Sequence, residues 1–267
     1  MPWRLLVLSA LAFTISQGMA SLSTNAEPIT QSSKRITPQL DKAKLDYVFS
    51  GYLKFTNGDY KGAISDYSEA IRLNPKDAYA YHIRGGVKFL LGDNYGAIGD
   101  YTEAILIEPN IPAFHYDRGN VKEELGDKKG AISDYTQAIH LSPKYDKAYF
   151  KRGYAKSQLG DNKGAISDYN KAIFLNSGVA MFYSFRGITK SDLGDKKGGI
   201  NDQTEAIRLK PDYASAYFFR GNAKNSLGDY KGALSDIKKA LQLFQQQGNT
   251  TQYKNTLEAI KLLEKSR

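Results

Sequence analysis

The stretch Gly126-Asp127-Lys128-Lys129-Gly130-Ala131-Ile132-Ser133-Asp134-Tyr135, GDKKGAISDY, decides the fold. It occurs as GDYKGAISDY at 58–67, GDNYGAIGDY at 92–101 and GDNKGAISDY at 160–169. Weaker copies stand at 194–203 (GDKKGGINDQ) and 228–237 (GDYKGALSDI), and each copy starts 34 residues after the one before. A fixed period of this size marks supersecondary units that bury their apolar faces by stacking on one another. Working outward gives six units, 44–77, 78–111, 112–145, 146–179, 180–213 and 214–247.

Each unit reads as two helices. The first carries apolar and small residues at helical spacing, as in Tyr149, Phe150, Gly153, Tyr154 and Leu159. It stops at a glycine (58, 92, 126, 160, 194, 228), the residue suited to a left-handed helix end. The next residue is always Asp, whose carboxylate can cap the amides of the second helix. That helix repeats Ala63, Ile64, Tyr67, Ala70 and Ile71 at i, i+3/i+4, i+7 spacing and ends near Pro75, Pro109, Pro143 and Pro211. A mid-helix glycine (51, 85, 119, 153, 187, 221) costs about 1 kcal/mol against Ala. Its recurrence predicts close helix packing, with Ala63, Ala97, Ala131, Ala165 and Ala233 facing it and Tyr47, Tyr81, Tyr149, Tyr183 and Tyr217 filling larger gaps. A further glycine (62, 96, 130, 164, 198, 232) stands in the first turn of every second helix, where no sequence-level reason requires it.

The period, the Tyr–Gly spacing, the Gly-Asp turn, the two Ala positions and the terminal Pro together resemble the tetratricopeptide repeat family over residues 44–247. The resemblance implies an all-α, right-handed α-solenoid of six helix-turn-helix repeats, with a concave groove lined by first helices. Residues 248–267, with Tyr253, Leu257, Ile260 and Leu263 on one face, are expected to form the capping helix that a stacked array needs.

Composition narrows the chemistry. With 267 residues, 41% hydrophobic, the chain can build a core. It contains no Cys, which removes disulfides, thiolate metal sites and thiol nucleophiles. Three His, no HExxH and no Gly-rich phosphate loop leave no basis for an active site, a cofactor or a metal. The net charge of +9 comes from short basic runs beside acids, without a polybasic arm, and is read as a solvated surface. Residues 1–26 read as an export signal: Arg4, an apolar run from Leu5 to Ser16, then cleavage after Ala20 or Ala26, or retention as an N-terminal anchor. Residues 27–43 read as a linker. The expected location is the periplasm or an equivalent lumen.

The resemblance places partner binding in the groove, on first-helix positions that differ between units. These candidates are Phe49, Tyr52, Phe55, Tyr79, His82, Phe89, Tyr116, Asn120, Phe150, Lys151, Tyr154, Phe185, Phe218, Phe219 and Asn222. The same rows hold Ile83, Asp117, Glu123, Glu124, Ile188 and Asn225. Aromatics repeated along a solvent-facing wall are the material of interaction hot spots. The two-Lys, two-Asn, one-Arg clamp with which some family members hold chaperone tails is absent: Tyr116 and Phe218 take a Lys position, and Lys151 takes an Asn position. The recurrent Arg84, Arg118, Arg152, Arg186 and Arg220 are expected to brace Asp66, Asp100, Asp134, Asp168, Asp202 and Asp236, at about 0–1 kcal/mol per exposed pair. The expected function is therefore a non-enzymatic envelope scaffold that binds an extended or helical protein segment for complex assembly. Self-association is the alternative. Nucleic-acid binding would need coding polar side chains and a basic stripe in place of the aromatics.

Overall fold

The computed structural model describes residues 37–265; the residues read as an export signal, 1–26, and most of those read as a linker lie outside them. Every regular element among the described residues is an α-helix. The chain divides into two compact units, meeting at Ser142 and Pro143.

The N-terminal unit holds α1 (Thr37–Thr56), α2 (Tyr60–Leu73), α3 (Ala78–Leu90), α4 (Asn94–Ile107), α5 (Pro112–Glu124) and α6 (Lys128–Leu141). The C-terminal unit holds α7 (Asp146–Gln158), α8 (Asn162–Leu175), α9 (Ala180–Asp192), α10 (Lys196–Leu209), α11 (Ala214–Ser226), α12 (Tyr230–Gln246) and α13 (Thr250–Lys265). Each unit is therefore three helix-turn-helix repeats in register with the 34-residue period, and α13 packs on α12 at the end of the second. Helix α1 starts at Thr37, so residues 37–43 belong to the first helix and not to a linker.

The Gly-Asp pair ends one helix and starts the next. Gly126 has φ +84°, its N–H bonds Glu123 O at 3.0 Å, and the Asp127 N–H bonds Lys122 O at 2.9 Å. This is a Schellman ending, which satisfies carbonyls that would otherwise be orphaned. Asp127 then accepts from the Gly130 N–H at 2.9 Å, capping α6. The same bond accounts for the first-turn glycine: a Cβ on Gly130 would collide with the Asp127 carboxylate. All six turns repeat this geometry.

The mid-helix glycine meets a ring and not an alanine methyl. A Cβ on Gly119 would sit 2.8 Å from Tyr135 Cε1, and Gly51, Gly85 and Gly153 meet Tyr67, Tyr101 and Tyr169 in the same way. These four tyrosines are at most 1% exposed and form the centre of each repeat. Ile237 replaces the ring in repeat six and Gln203 in repeat five. The expected gap-filling tyrosines lie farther out, where Tyr81, Tyr149, Tyr183 and Tyr217 carry the guanidinium of the next Arg at 5.5–5.6 Å.

Bracing by Arg and Asp is present and stronger than an exposed pair. Arg118 makes two bonds to Asp134, at 3.0 and 2.7 Å, and Lys122 adds a third contact at 2.8 Å. The Asp134 side chain is 5% exposed, so removing one partner would strand a buried charge. A third Arg118 nitrogen reaches Thr102 of the preceding repeat, 3.2 Å away, and so ties repeat to repeat. In repeat one Ser50 and Lys54 take the place of the Arg–Lys pair on Asp66.

Candidate functional site

Four candidates turn inward. Phe55 is buried among Tyr67, Ile83 and Val87, and Phe89 among Ala97, Tyr101 and Val121. His82 is 1% exposed, between the rings of Tyr101 and Phe114 at 5.3 and 4.7 Å. Its Nε2–H donates to Asp117 Oδ2 at 2.8 Å, while Nδ1 is buried without a partner. Phe150 stacks on Phe182 at 5.0 Å and meets Phe185 edge-on at 5.3 Å. These four are packing residues, and the first-helix surface has to be built without them.

The reason lies in the next repeat. The third position of a first helix is Ala in repeats two, four and six but Phe114 and Phe182 in repeats three and five. Each of these phenylalanines lies against the fifth-position ring of the repeat before, His82 or Phe150. A ring that meets a ring is covered.

In the N-terminal unit Phe49 is exposed, and Tyr52, Tyr79, Tyr116 and Asn120 are half-buried. Tyr79 lies edge-on to Phe114 at 5.5 Å, and Tyr116 is 5.7 Å from the Tyr135 ring. The buried Tyr135 sends its hydroxyl to this surface, 2.6 Å from Glu123 Oε2 and 2.9 Å from Asn120 Oδ1. Burial and the Glu123 carboxylate push that hydroxyl far above its ordinary pKa, so it remains a donor. With Asp117 and Glu124 on the same helix, the surface of α5 is acidic and hydrogen-bonded.

In the C-terminal unit the surface is aromatic. Tyr154 and Phe185 meet edge-on at 5.4 Å, with the buried Phe150 behind Phe185. One repeat on, Phe219 is 36% exposed and edge-on to Phe218 at 5.6 Å. Phe218 itself leans on Leu243, Phe244 and Ile260, while Lys151 and Asn222 are half-buried along the same helices. Tyr154 and Phe185 are half-buried and Phe219 is exposed; rings held in this way by their neighbours are preorganised, so a ligand that covers them loses little side-chain entropy. Met181, 36% exposed at the second position of repeat five, belongs to this surface and was absent from the candidates. It occupies the row of Tyr79, so the period alone would have found it.

A shallow open depression lies between α7 and α8, bounded by Tyr149, Arg152, Asn170, Lys171 and Phe174, and no candidate residue lines it. Among the described residues no group of three or more His, Asp or Glu could hold a metal ion. No described helix is long and apolar enough to cross a membrane.

Models of the tetratricopeptide repeat match residues 116–180 and 214–247, and a TPR repeat model matches residues 51–92. No curated protein matches the chain. Among solved structures, MamA is 23% identical over 66% of this chain and 96% of its own, with a TM-score of 0.60. YrrB, described as a TPR protein with an unusual peptide-binding site, is 18% identical over 73% and 97%, also at 0.60. PilW, a type IV pilus biogenesis factor, is 15% identical over 80% and 98%, at 0.69. These likenesses are to the fold. Period, turn chemistry, helix pairing and three matching repeat models converge: the chain belongs to the tetratricopeptide repeat family.

Proposed function

We propose that the protein is a non-enzymatic scaffold that binds a segment of another protein across its first helices, for the assembly of a complex in the cell envelope. The observation that carries this reading is the aromatic surface of the C-terminal unit, with Tyr154 edge-on to Phe185 over the buried Phe150 and, one repeat on, Phe219 edge-on to Phe218. Solvated rings in a fixed arrangement cost free energy unless a partner covers them. The acidic surface of α5, with Asp117, Asn120 and Glu123, offers polar contacts of the kind that fix register. An envelope location is supported by the signal-like residues 1–26 and by the fold shared with a pilus biogenesis factor.

The test is a cross-linked pull-down from the envelope fraction with wild type and a Tyr154→Ser/Phe185→Ser/Phe219→Ser variant. These residues are accessible, unlike Phe150, so the variant should keep its fold. A partner retained by wild type and lost by the variant is the expected result. Identical captures by both would remove the first-helix surface as the binding site.

A second reading, self-association, rests on α1. Leu45, Phe49 and Leu53 follow one another at i, i+4, i+8 and are 41–52% exposed. In later repeats the position of Leu53 is filled by Val87 or Val121, both fully buried. Light scattering over a concentration series tests this reading, and a monomer at all concentrations rejects it.

A further inference from the structure

The charge of this protein is not shared between its halves. Residues 143–267 hold 22 Lys and Arg against 12 Asp and Glu, a net of +10, whereas residues 1–142 hold 15 against 16, a net of −1. Both units use the same repeat, so the fold does not impose the difference.

On the second helices of the C-terminal unit eight Lys and Arg stand against four Asp and Glu, a net of +4, whereas those of the N-terminal unit hold four against five, a net of −1. Lys163, Lys197 and Lys231 take the same position on α8, α10 and α12, one per repeat, and all three are exposed. Eight residues on, two turns along the same face, Lys171 and Lys239 are exposed as well. Between them stands Glu205, bonded to Arg208 at 2.7 Å, a pair that contributes no net charge. In the N-terminal unit the corresponding rows read Lys61, Tyr95, Lys129 and Glu69, Glu103, Gln137. Phe174, on α8 with Lys163 and Lys171, is 79% exposed, and the Lys171 ammonium lies 5.0 Å from its ring centre.

The kind of cation is informative. Each described arginine of this unit is committed to a carboxylate: Arg152 to Asp168, Arg186 to Asp202, Arg208 to Glu205 and Arg220 to Asp236. What faces solvent is lysine, a hydrated point charge without the fixed fork that reads a carboxylate or phosphate in a cleft. Exposed lysines repeated from helix to helix, with one solvated aromatic ring beside Lys171, suit a surface of dense, mobile negative charge with an apolar layer beneath it. From this geometry we infer that the second-helix face of the C-terminal unit docks on an anionic membrane surface, the lysines held at the headgroups and Phe174 entering between them. It is separate from the partner surface on the first helices and does not depend on it.

Because the chain has no cysteine, a single Phe174→Cys labels uniquely with an environment-sensitive fluorophore. The full-length labelled protein is titrated with vesicles of phosphatidylcholine and phosphatidylglycerol in a two-to-one ratio, and with pure phosphatidylcholine. The label is expected to report an apolar environment on the mixed vesicles only, and to lose it as salt rises. With Lys163, Lys197 and Lys231 changed to Glu, partitioning read at this label should fall at least about 100-fold. A label at Leu106→Cys, the corresponding position in the N-terminal unit, should not respond. The local label makes the reading independent of any binding by the apolar residues 5–16. The proposal is overturned if the Phe174→Cys label responds equally to both vesicles, if the triple variant binds undiminished, or if polyglutamate and not vesicles gives the lysine-dependent response. The last result would make the face a dock for an acidic polypeptide.

Discussion

A carboxylate in each turn and a carboxylate in each repeat interior do different work, and both can be weighed residue by residue. In the turn, Asp127 and Gly130 form one device: the cap bond contributes about 1 kcal/mol, and Gly at that position gives up nearly as much helix propensity. Gly130→Ala should therefore change stability little in the wild-type background, because the methyl gains propensity while displacing the carboxylate. In an Asp127→Ala background there is no carboxylate to displace, so the same substitution should stabilise by about 0.5–1 kcal/mol. Urea denaturation of the four proteins of this cycle measures the coupling, and equal effects of Gly130→Ala in both backgrounds would refute it. In the interior, burial works against ionisation of Asp236, but hydrogen bonds from Arg220 and Lys224 outweigh it, and its pKa lies below the ordinary carboxylate range. A group whose pKa is lowered by folding stabilises above its unfolded value, near pH 4, and loses that contribution as pH falls through the folded value. Wild type should thus lose more stability than Asp236→Asn between pH 5 and 2, while at pH 7 the variant is already weaker by about 2–3 kcal/mol.

Among the helices, α10 should be the weakest second helix of the C-terminal unit. It carries Gly199 where the other repeats have Ala, and Gln203 where they have Tyr or Ile. Gln203 Nε2 donates to the Ser184 carbonyl at 2.9 Å, but its Oε1 is buried with no donor, which costs about 1–3 kcal/mol. Two adjacent glycines, Gly198 and Gly199, further lower helix propensity in the first turns. Amide hydrogen exchange should therefore show α10 less protected than α8, though both lie inside the unit. Protection of α10 equal to that of α8 would mean that the Gln203–Ser184 bond compensates in full. Elements like these were readable from the sequence, because six copies average out local accident: turns, caps and the extent of the second helices stood in the repeats. What the sequence could not reveal was the partner of each ring. Phe150 and Tyr116 share the fifth position, yet the first is covered by Phe182 of the next repeat and the second lies half-exposed on Tyr135. That outcome depends on a third-position residue 32 residues away, so periodicity marks the row and packing decides which members reach solvent.

At the scale of the whole molecule, stacked repeats make stability a sum of repeat terms and nearest-neighbour interfaces. The last interface of the C-terminal unit is the one that α13 supplies. Its Ile260 and Leu263, each 6% exposed, close over Ala233 and Ile237, and Tyr253 covers Leu243 and Phe244. Outward, α13 shows mostly polar residues, Gln252, Lys254, Asn255, Glu258 and Lys261, with Leu262 the large apolar exception. Ending the chain at Gly248 would return Leu243 and Phe244 to water. At about 1.5–3 kcal/mol for each large apolar side chain, that loss rivals the stability one repeat can hold. The truncated protein should lose protection of α11 and α12 by hydrogen exchange, leave α7 and α8 nearly unchanged, and associate through the uncovered face. If interfaces couple only to their neighbours, Leu263→Ala in the full chain should show the same gradient, strongest in α12, weaker in α10 and absent in α8. Uniform loss along α8, α10 and α12 would instead make the unit a single cooperative block, with the bonds from Arg186 to Asn170 and from Arg220 to Thr204, each reaching the preceding repeat, as the coupling.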